Sequence, residues 1–362
     1  MQTNLREIEK IVSPRPLPLY TRLPVYESTL GREKFLCMDA NEGPPANLEF
    51  LERVLMLSAA KAIRYPEYDD LKQAAGEAYG VAAEAVMPVN GADEGIRLVL
   101  QAFCQKGSRV VGTSPGFSMY PIYTQMAGAD FKPIPALITF SADIDGLVAA
   151  LAKADMVVLA SPNNPTGQRI LPLEMQRLLR SAKEIPFLLD ETYAVFCRQN
   201  YIPLLDQYPN LLILRTLSKA HGVPGLRCGF LLGDPALIRS LEPLRSPYNV
   251  SAVAAAAGSL ILREDRDYRT RCRQAVRVVQ GLREKLLEAG VQVYHTDTHF
   301  FLVQMRPGEE TEAAAWLKAN GILVRVMGET LPGILRISVT VQEEADRFLA
   351  VFLPWWERKA ES

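Results

Sequence analysis

Three short segments of this 362-residue chain set reactive side chains just beyond apolar runs. Lys219 lies in SKAHG, after LLILRT (211–216). Asp190 closes FLLD (187–190). Asn164 lies in SPNNPTG, after VVLA (157–160). A lysine amine condenses with carbonyls to form a Schiff base. A buried carboxylate suits a protonated ring nitrogen. Two further groups suit an anion. Gly91, Ala92 and Asp93 open the helical run EGIRLVLQAF, and a helix N-terminus offers free N–H groups. Ser218 adds a hydroxyl and Arg227 a guanidinium. Carbonyl, pyridine nitrogen and phosphate occur together in pyridoxal phosphate (PLP). Taken singly, each segment has a plainer reading: a solvated lysine, a Pro/Asn/Gly turn, a helix cap, an ion-paired arginine. Their joint occurrence at successive strand ends favours the cofactor.

The elements needed to gather these groups are legible as patterns. VVLA, FLLD, LLILRT and CGFLLG (228–233) are unbroken apolar runs, and LPLEMQRLLRSAK (171–183) is apolar at helical spacing. Such alternation predicts a mainly parallel sheet covered by helices on both faces, with ligands beyond the carboxyl ends of its strands. From about Ser251 the texture changes. A helix-rich stretch runs to Gly290, followed by VQVY, FFLVQM, ILVRV and ILRISV, with helical patterns at EAAAWLKAN and EEADRFLAVFL. Residues 1–38, punctuated by SPRPLPLY and RLPVY, read as an extended arm after a short helix. The expected organisation is α/β: an arm (1–38) packing with the small domain or a dimer partner, a large domain (39–246) and a smaller α/β C-terminal domain (247–362).

Composition narrows the function class. The chain is 48% apolar and 22% charged with a net charge of -1, ordinary for a globular protein and without the basic patch that nucleic acid or a membrane surface demands. Five scattered cysteines, none in C-x-x-C spacing, read as reduced side chains in a reducing compartment, and cytoplasmic location is expected. MQTNLREIEK is too charged for a secretory signal, and no run reaches the ~18 apolar residues of a membrane helix. His221, His295 and His299 are too few and too badly spaced for a metal site. G-x-G-x-x-G after a strand and G-x-x-x-x-G-K-[ST] are both absent.

The chain resembles the fold-type I PLP enzymes, and within them the histidinol-phosphate aminotransferases. The segments are MDANEGPP (38–45), RYPEY (64–68), GADEGI (91–96), PGFSMYP (115–121), SPNNPTGQ (161–168), DETYAVF (190–196), RTLSKAHGVPGLRCGF (215–230), SPYNVS (246–251) and LRISV (335–339). The resemblance implies that Lys219 carries the cofactor and shuttles a proton, and that Asp190 pairs with the ring nitrogen. It further implies that Asn164 and Tyr193 bond the ring oxygen, Phe117 stacks on the ring, and Ala92, Asp93, Ser218 and Arg227 cradle the phosphate. Tyr65 would reach the phosphate across a homodimer interface. Arg336 would bind the substrate's anionic end, helped by Arg325 and by Tyr26, with Tyr20 the alternative to Tyr26. The implied reaction takes the amino group of L-histidinol phosphate to 2-oxoglutarate, a step of histidine biosynthesis. An aromatic aminotransferase and a phosphothreonine decarboxylase share the fold and stand as alternatives. A PLP-binding transcriptional regulator would carry a DNA-binding module ahead of this fold, where only about 38 residues precede the first motif. The family often has Ala-Asn-Phe where this chain has Thr298, His299 and Phe300, so His299 falls at the expected edge of the site; a satisfied half-buried histidine is the expected state.

Overall fold

A computed structural model of the chain describes Leu23 and residues 30–360. Tyr20 and Tyr26 lie outside the described residues. The strands in chain order are β1 (Leu36–Met38), β2 (Val86–Asn90), β3 (Arg109–Ser114), β4 (Asp130–Pro135), β5 (Met156–Ala160), β6 (Phe187–Asp190), β7 (Leu211–Thr216), β8 (Cys228–Gly233), β9 (Phe300–Gln304), β10 (Ile322–Val326) and β11 (Ile334–Ser338).

Seven of them form one sheet in the order β2-β8-β7-β6-β5-β3-β4. Strands β7, β6, β5, β3 and β4 pair in parallel, while β8 runs antiparallel to both β7 and β2. Every residue of β5, β6, β7 and β8 is buried, which is why they read as continuous apolar runs. Their side chains alternate between two cores. Leu159, Leu189 and Ile213 enter one, and Val158, Leu188 and Leu212 enter the other. Helices lie on both faces, started by local chemistry. Asn47, Asp143, Asp234 and Ser251 each accept a backbone N–H of the first turn that follows.

A second sheet has the order β1-β10-β11-β9. Its core gathers Phe301, Val303, Leu335 and Ile337 with Val279 and Leu282 of the helix Tyr268–Glu288 and Phe348 and Phe352 of the helix Gln342–Ala360. β1, from the stretch read as an arm, joins this sheet by parallel pairing with β10. The stretch read as one helix-rich segment after Ser251 is two helices, Ala252–Glu264 and Tyr268–Glu288. The first packs Ala254, Ala257 and Ile261 into the core of the large sheet, although the sequence reading divides the chain at 246. Its alanines permit that close approach. VQVY forms no strand of its own and contributes one isolated bridge, Val293 to Val303. Between the two sheets a seam packs Tyr193, Phe196 and Ala220 against Cys272, Ala275 and Phe300. Among the described residues no helix is long and apolar enough to cross a membrane.

Candidate active site

Because β5, β6 and β7 are parallel, their C-terminal ends share one sheet edge, and the 161–167 loop, Asp190 and the 217–222 loop leave from it. β2 is antiparallel to a strand that is antiparallel to β7, so it points the same way, and the helix Gly91–Phe103 starts at that edge too. The segments singled out in the sequence therefore converge by topology.

Lys219 Nζ donates to the Ala40 carbonyl at 3.1 Å and lies 6.0 Å from the centre of the Tyr193 ring. Burial is the main reason its pKa falls to about 8. The Arg336 and Arg227 charges push the same way, against Glu42 and Asp93. Asp190 accepts at both oxygens, from the Tyr120 hydroxyl at 2.9 Å and from the Thr192 N–H at 2.9 Å. Desolvation raises its pKa, opposed by those hydrogen bonds. The Tyr193 hydroxyl accepts from Asn41 Nδ2 at 3.4 Å and is pushed up to about 12 by burial, with the Arg336 charge opposing. Arg336, 9% exposed, donates through Nη1 to Asn164 Oδ1 at 2.6 Å and through Nη2 to the Asp39 carbonyl at 2.6 Å. The half-buried ring of Phe117 meets Tyr120 edge-on at 5.5 Å, so Phe117, Tyr120 and Asp190 form one contiguous wall.

On the opposite flank Arg227 Nη2 donates to Asp93 Oδ2 at 3.0 Å. Arg227 holds a left-handed backbone (φ 51°), costly for a side-chain-bearing residue and commonest where function imposes it. Gly91 also has positive φ (69°), and a Cβ there would lie 2.2 Å from Arg227 Nη2. Glycine is what lets the guanidinium reach the start of the helix. The buried Ser218 hydroxyl accepts from Thr216 Oγ1 at 3.0 Å, and Ala92 is half-buried beside Asp93.

Two expected residues stand apart from this cluster. Arg325 is exposed on β10, but the β10–β11 register sets it directly opposite Arg336. Directly opposed residues of an antiparallel pair share a sheet face, with Cβ atoms roughly 5 Å apart. Tyr65 is 76% exposed and stacks on Tyr248 at 4.2 Å, outside its own chain's site. Tyr26 lies outside the described residues.

Sequence reasoning missed the stretch 39–43 as a working part. It lends two backbone carbonyls, Asp39 to Arg336 and Ala40 to Lys219, and the Asn41 side chain to Tyr193. Arg32 ties it down through Asp39 at 2.8 Å and Glu42 at 2.9 Å. Tyr120 was missed as well; its only signal was a place in PGFSMYP, three residues after Phe117. The half-buried, satisfied histidine expected at 299 is instead fully buried. It stacks on Phe196 at 4.3 Å. Burial first, then the Lys219 charge, holds its pKa down to about 3, so it is a neutral imidazole. His221 is a packing residue, bonded to Asp265 at 2.9 Å and stacked on Tyr268. No group of three metal-ligating side chains occurs among the described residues.

The pocket fits PLP by its own chemistry. A lysine held near neutrality can attack a carbonyl. A buried carboxylate with raised pKa gains from a protonated ring nitrogen beside it. A guanidinium at a helix N-terminus, as Arg227 stands beside Gly91 and Asp93, suits a phosphate.

The sequence model for aminotransferase class I and II matches residues 39–352. A histidinol-phosphate aminotransferase of Thermococcus kodakarensis is 33% identical over 322 residues, 88% of this chain and 92% of that protein. One from Salmonella paratyphi B is 34% identical over 333 residues, 88% of this chain and 90% of that protein. The crystal structure of histidinol-phosphate aminotransferase from Sinorhizobium meliloti in complex with pyridoxal-5'-phosphate superposes with a TM-score of 0.85 at 22% identity, covering 97% of this chain and 99% of that one. With its lysine, its buried carboxylate and the start of the helix Gly91–Phe103 gathered at one sheet edge, the chain belongs to the class I and II aminotransferases, enzymes that work through pyridoxal phosphate.

Proposed function

We propose that the protein transfers the amino group of L-histidinol phosphate to 2-oxoglutarate, giving imidazole acetol phosphate and glutamate. The observation that carries the reading is the cross-strand pair Arg325–Arg336. Histidinol phosphate has no carboxylate, and its dianionic phosphate takes that place. Two guanidiniums on one sheet face give a phosphate more charge-assisted bonds than a carboxylate can use. The curated relatives carry the same name.

PLP, when bound, supplies a carbonyl for the substrate amine and a ring that accepts the electrons of the broken C–H bond. The chain's residues do the rest. Lys219 would hold the cofactor, and its amine would move the proton from the amine-bearing carbon. Its lowered pKa leaves it a usable base near neutral pH. Asp190 keeps the ring nitrogen protonated, and Tyr120 and Thr192 keep Asp190 in place. Asn164 and Tyr193 hold the ring oxygen, and Phe117 supports the ring face. Ala92, Asp93, Ser218 and Arg227 hold the phosphate. Arg336 and Arg325, with Tyr26, take the substrate anion.

The unit at work is a homodimer, with Tyr65 of each copy serving the other's phosphate cradle. The Tyr65–Tyr248 stack, Met56 and Ile63 leave large apolar side chains exposed, Met56 at 77% and Ile63 at 84%, which a second copy would cover. Residues 39–246, with the helix Ala252–Glu264 packed against them, form the cofactor domain, and the rest of 247–362 the small C-terminal domain. Free cysteines and unremarkable charge suit a cytoplasmic enzyme.

The test compares histidinol phosphate, histidinol and phenylalanine as amino donors in the parent and in Arg325→Ala. The parent should favour the phosphorylated donor. Arg325→Ala should lower kcat/KM for it roughly 10- to 100-fold, the worth of a charge-assisted bond, and lower phenylalanine turnover far less. Equal loss on all donors would make Arg325 structural. A parent that ignores histidinol phosphate would move the assignment to an aromatic aminotransferase or a phosphothreonine decarboxylase.

A further inference from the structure

A cavity of about 460 Å³ lies beside the catalytic loops without including any residue assigned above to PLP or substrate. Its walls take Glu191 and Thr192, next to Asp190, and Thr216, Ala220 and His221, flanking Ser218 and Lys219. The remaining walls come from the end of the helix Asp69–Tyr79, from residues 198–202, and from the first turns of the helix Tyr268–Glu288. The volume suits a small molecule.

Its charge is one-sided. Among the described residues four guanidiniums, Arg198, Arg215, Arg269 and Arg273, line it against one carboxylate, Glu191. Glu191 is already committed. Its Oε2 accepts from Arg215 Nη2 at 2.6 Å and its Oε1 from the Tyr201 N–H at 3.0 Å. Arg215 is only 7% exposed, and its Nε is buried with no acceptor among the described residues. Such a donor costs about 1–3 kcal/mol, so native proteins seldom leave one. Arg269 and Arg273 bond only to hydroxyls, those of Tyr268 at 2.9 Å and Thr270 at 2.7 Å, and make no ion pair with a described carboxylate. They stand on the first two turns of the 21-residue helix Tyr268–Glu288.

We propose that this cavity is a second small-molecule site, one that binds an oxyanion, either phosphate or carboxylate, through Arg215, Arg269 and Arg273. The ligand supplies the counter-charge that Arg269 and Arg273 lack among the described residues. Occupancy bears on the catalytic loop, because Thr216, which lines the cavity, hydrogen-bonds Ser218 next to Lys219.

Titration calorimetry on the PLP-loaded enzyme at low ionic strength tests this. One arm uses inorganic phosphate and the other citrate, and whichever binds more tightly identifies the chemistry. The variants are Arg269→Ala/Arg273→Ala, Arg198→Gln and, as a control for the substrate pocket, Arg336→Ala. Binding should weaken at least tenfold in the double variant and measurably in Arg198→Gln, and persist in Arg336→Ala. Arg198 stands on an exposed loop, so its variant serves as the reading if the double variant is unstable. Three results would overturn the site: no heat from either anion up to about 10 mM, affinity unchanged in the cavity variants, or binding abolished by Arg336→Ala alone.

Discussion

Lys219 is useful because it is short of water. With its pKa brought down from an ordinary 10.5 to about 8, roughly a fifth of the amine is neutral near physiological pH, against about a thousandth for an ordinary lysine. The rate at which cofactor-free enzyme captures PLP should therefore rise through pH 8 and level off. Stopped-flow absorbance measures this directly, and a rate still climbing toward pH 10.5 would mean that the amine is solvated. The linkage has a definite sign. Below pH 8 the amine is charged in both the folded and unfolded states, and the folded state carries the full desolvation penalty. Between 8 and 10.5 the unfolded chain binds more protons, so Lys219 makes the cofactor-free protein more stable as pH rises through that window. Tyr120 acts on the other pole of the site. Tyr120→Phe keeps the ring but removes the 2.9 Å bond to Asp190. A buried hydrogen bond to a charged group is worth about 1.5–3 kcal/mol. If it works through the ring nitrogen, kcat should fall roughly tenfold or more while cofactor content holds. Unchanged kcat would reduce Tyr120 to a packing residue.

At the scale of elements, the stretch 39–43 governs how the site is held. Gly43 packs so tightly that a Cβ there would lie 1.7 Å from the Lys219 carbonyl oxygen. Gly43→Ala must push the stretch away and take the Asp39 and Ala40 carbonyls with it, off Arg336 and Lys219. Displacements near 1 Å cost about 10²-fold in rate. Steady-state kinetics should show that loss in kcat/KM with PLP still bound; near-parent kinetics would mean the stretch is a bystander. This part of the site was illegible in the sequence for a physical reason. The contacts are made by backbone carbonyls, which every residue has, so nothing in Asp39 or Ala40 marks them. The central strands were legible because burial on both faces demands unbroken apolar runs, as in LLILRT. The reversed direction of β8 was not, since CGFLLG is just as apolar and is buried in the same way. Arg325 and Arg336 were visible as arginines on neighbouring strands. That they stand directly opposite one another follows from ladder register, which depends on the whole sheet.

For the molecule as a whole, Tyr65 makes the claim that is easiest to break. Mixing Lys219→Ala protomers with Tyr65→Phe protomers gives hybrid dimers in which one site carries both defects and the other neither. With free exchange about half the dimers are hybrids, so activity should recover to about a quarter of the parent. No recovery after proven exchange, or a monomer by light scattering, removes the shared site. The small sheet carries a consequence for how such an enzyme diversifies. β10 is held on its far edge by β1, and β11 by β9, so the Arg325–Arg336 register cannot slip unless two other ladders slip with it. The gap between the two guanidiniums is thus insulated from the insertions and deletions that accumulate in surface turns. A lineage that abandons a doubly charged donor has a narrow route: it replaces Arg325 in place, one codon at an exposed position, and leaves the frame that carries the arginine intact.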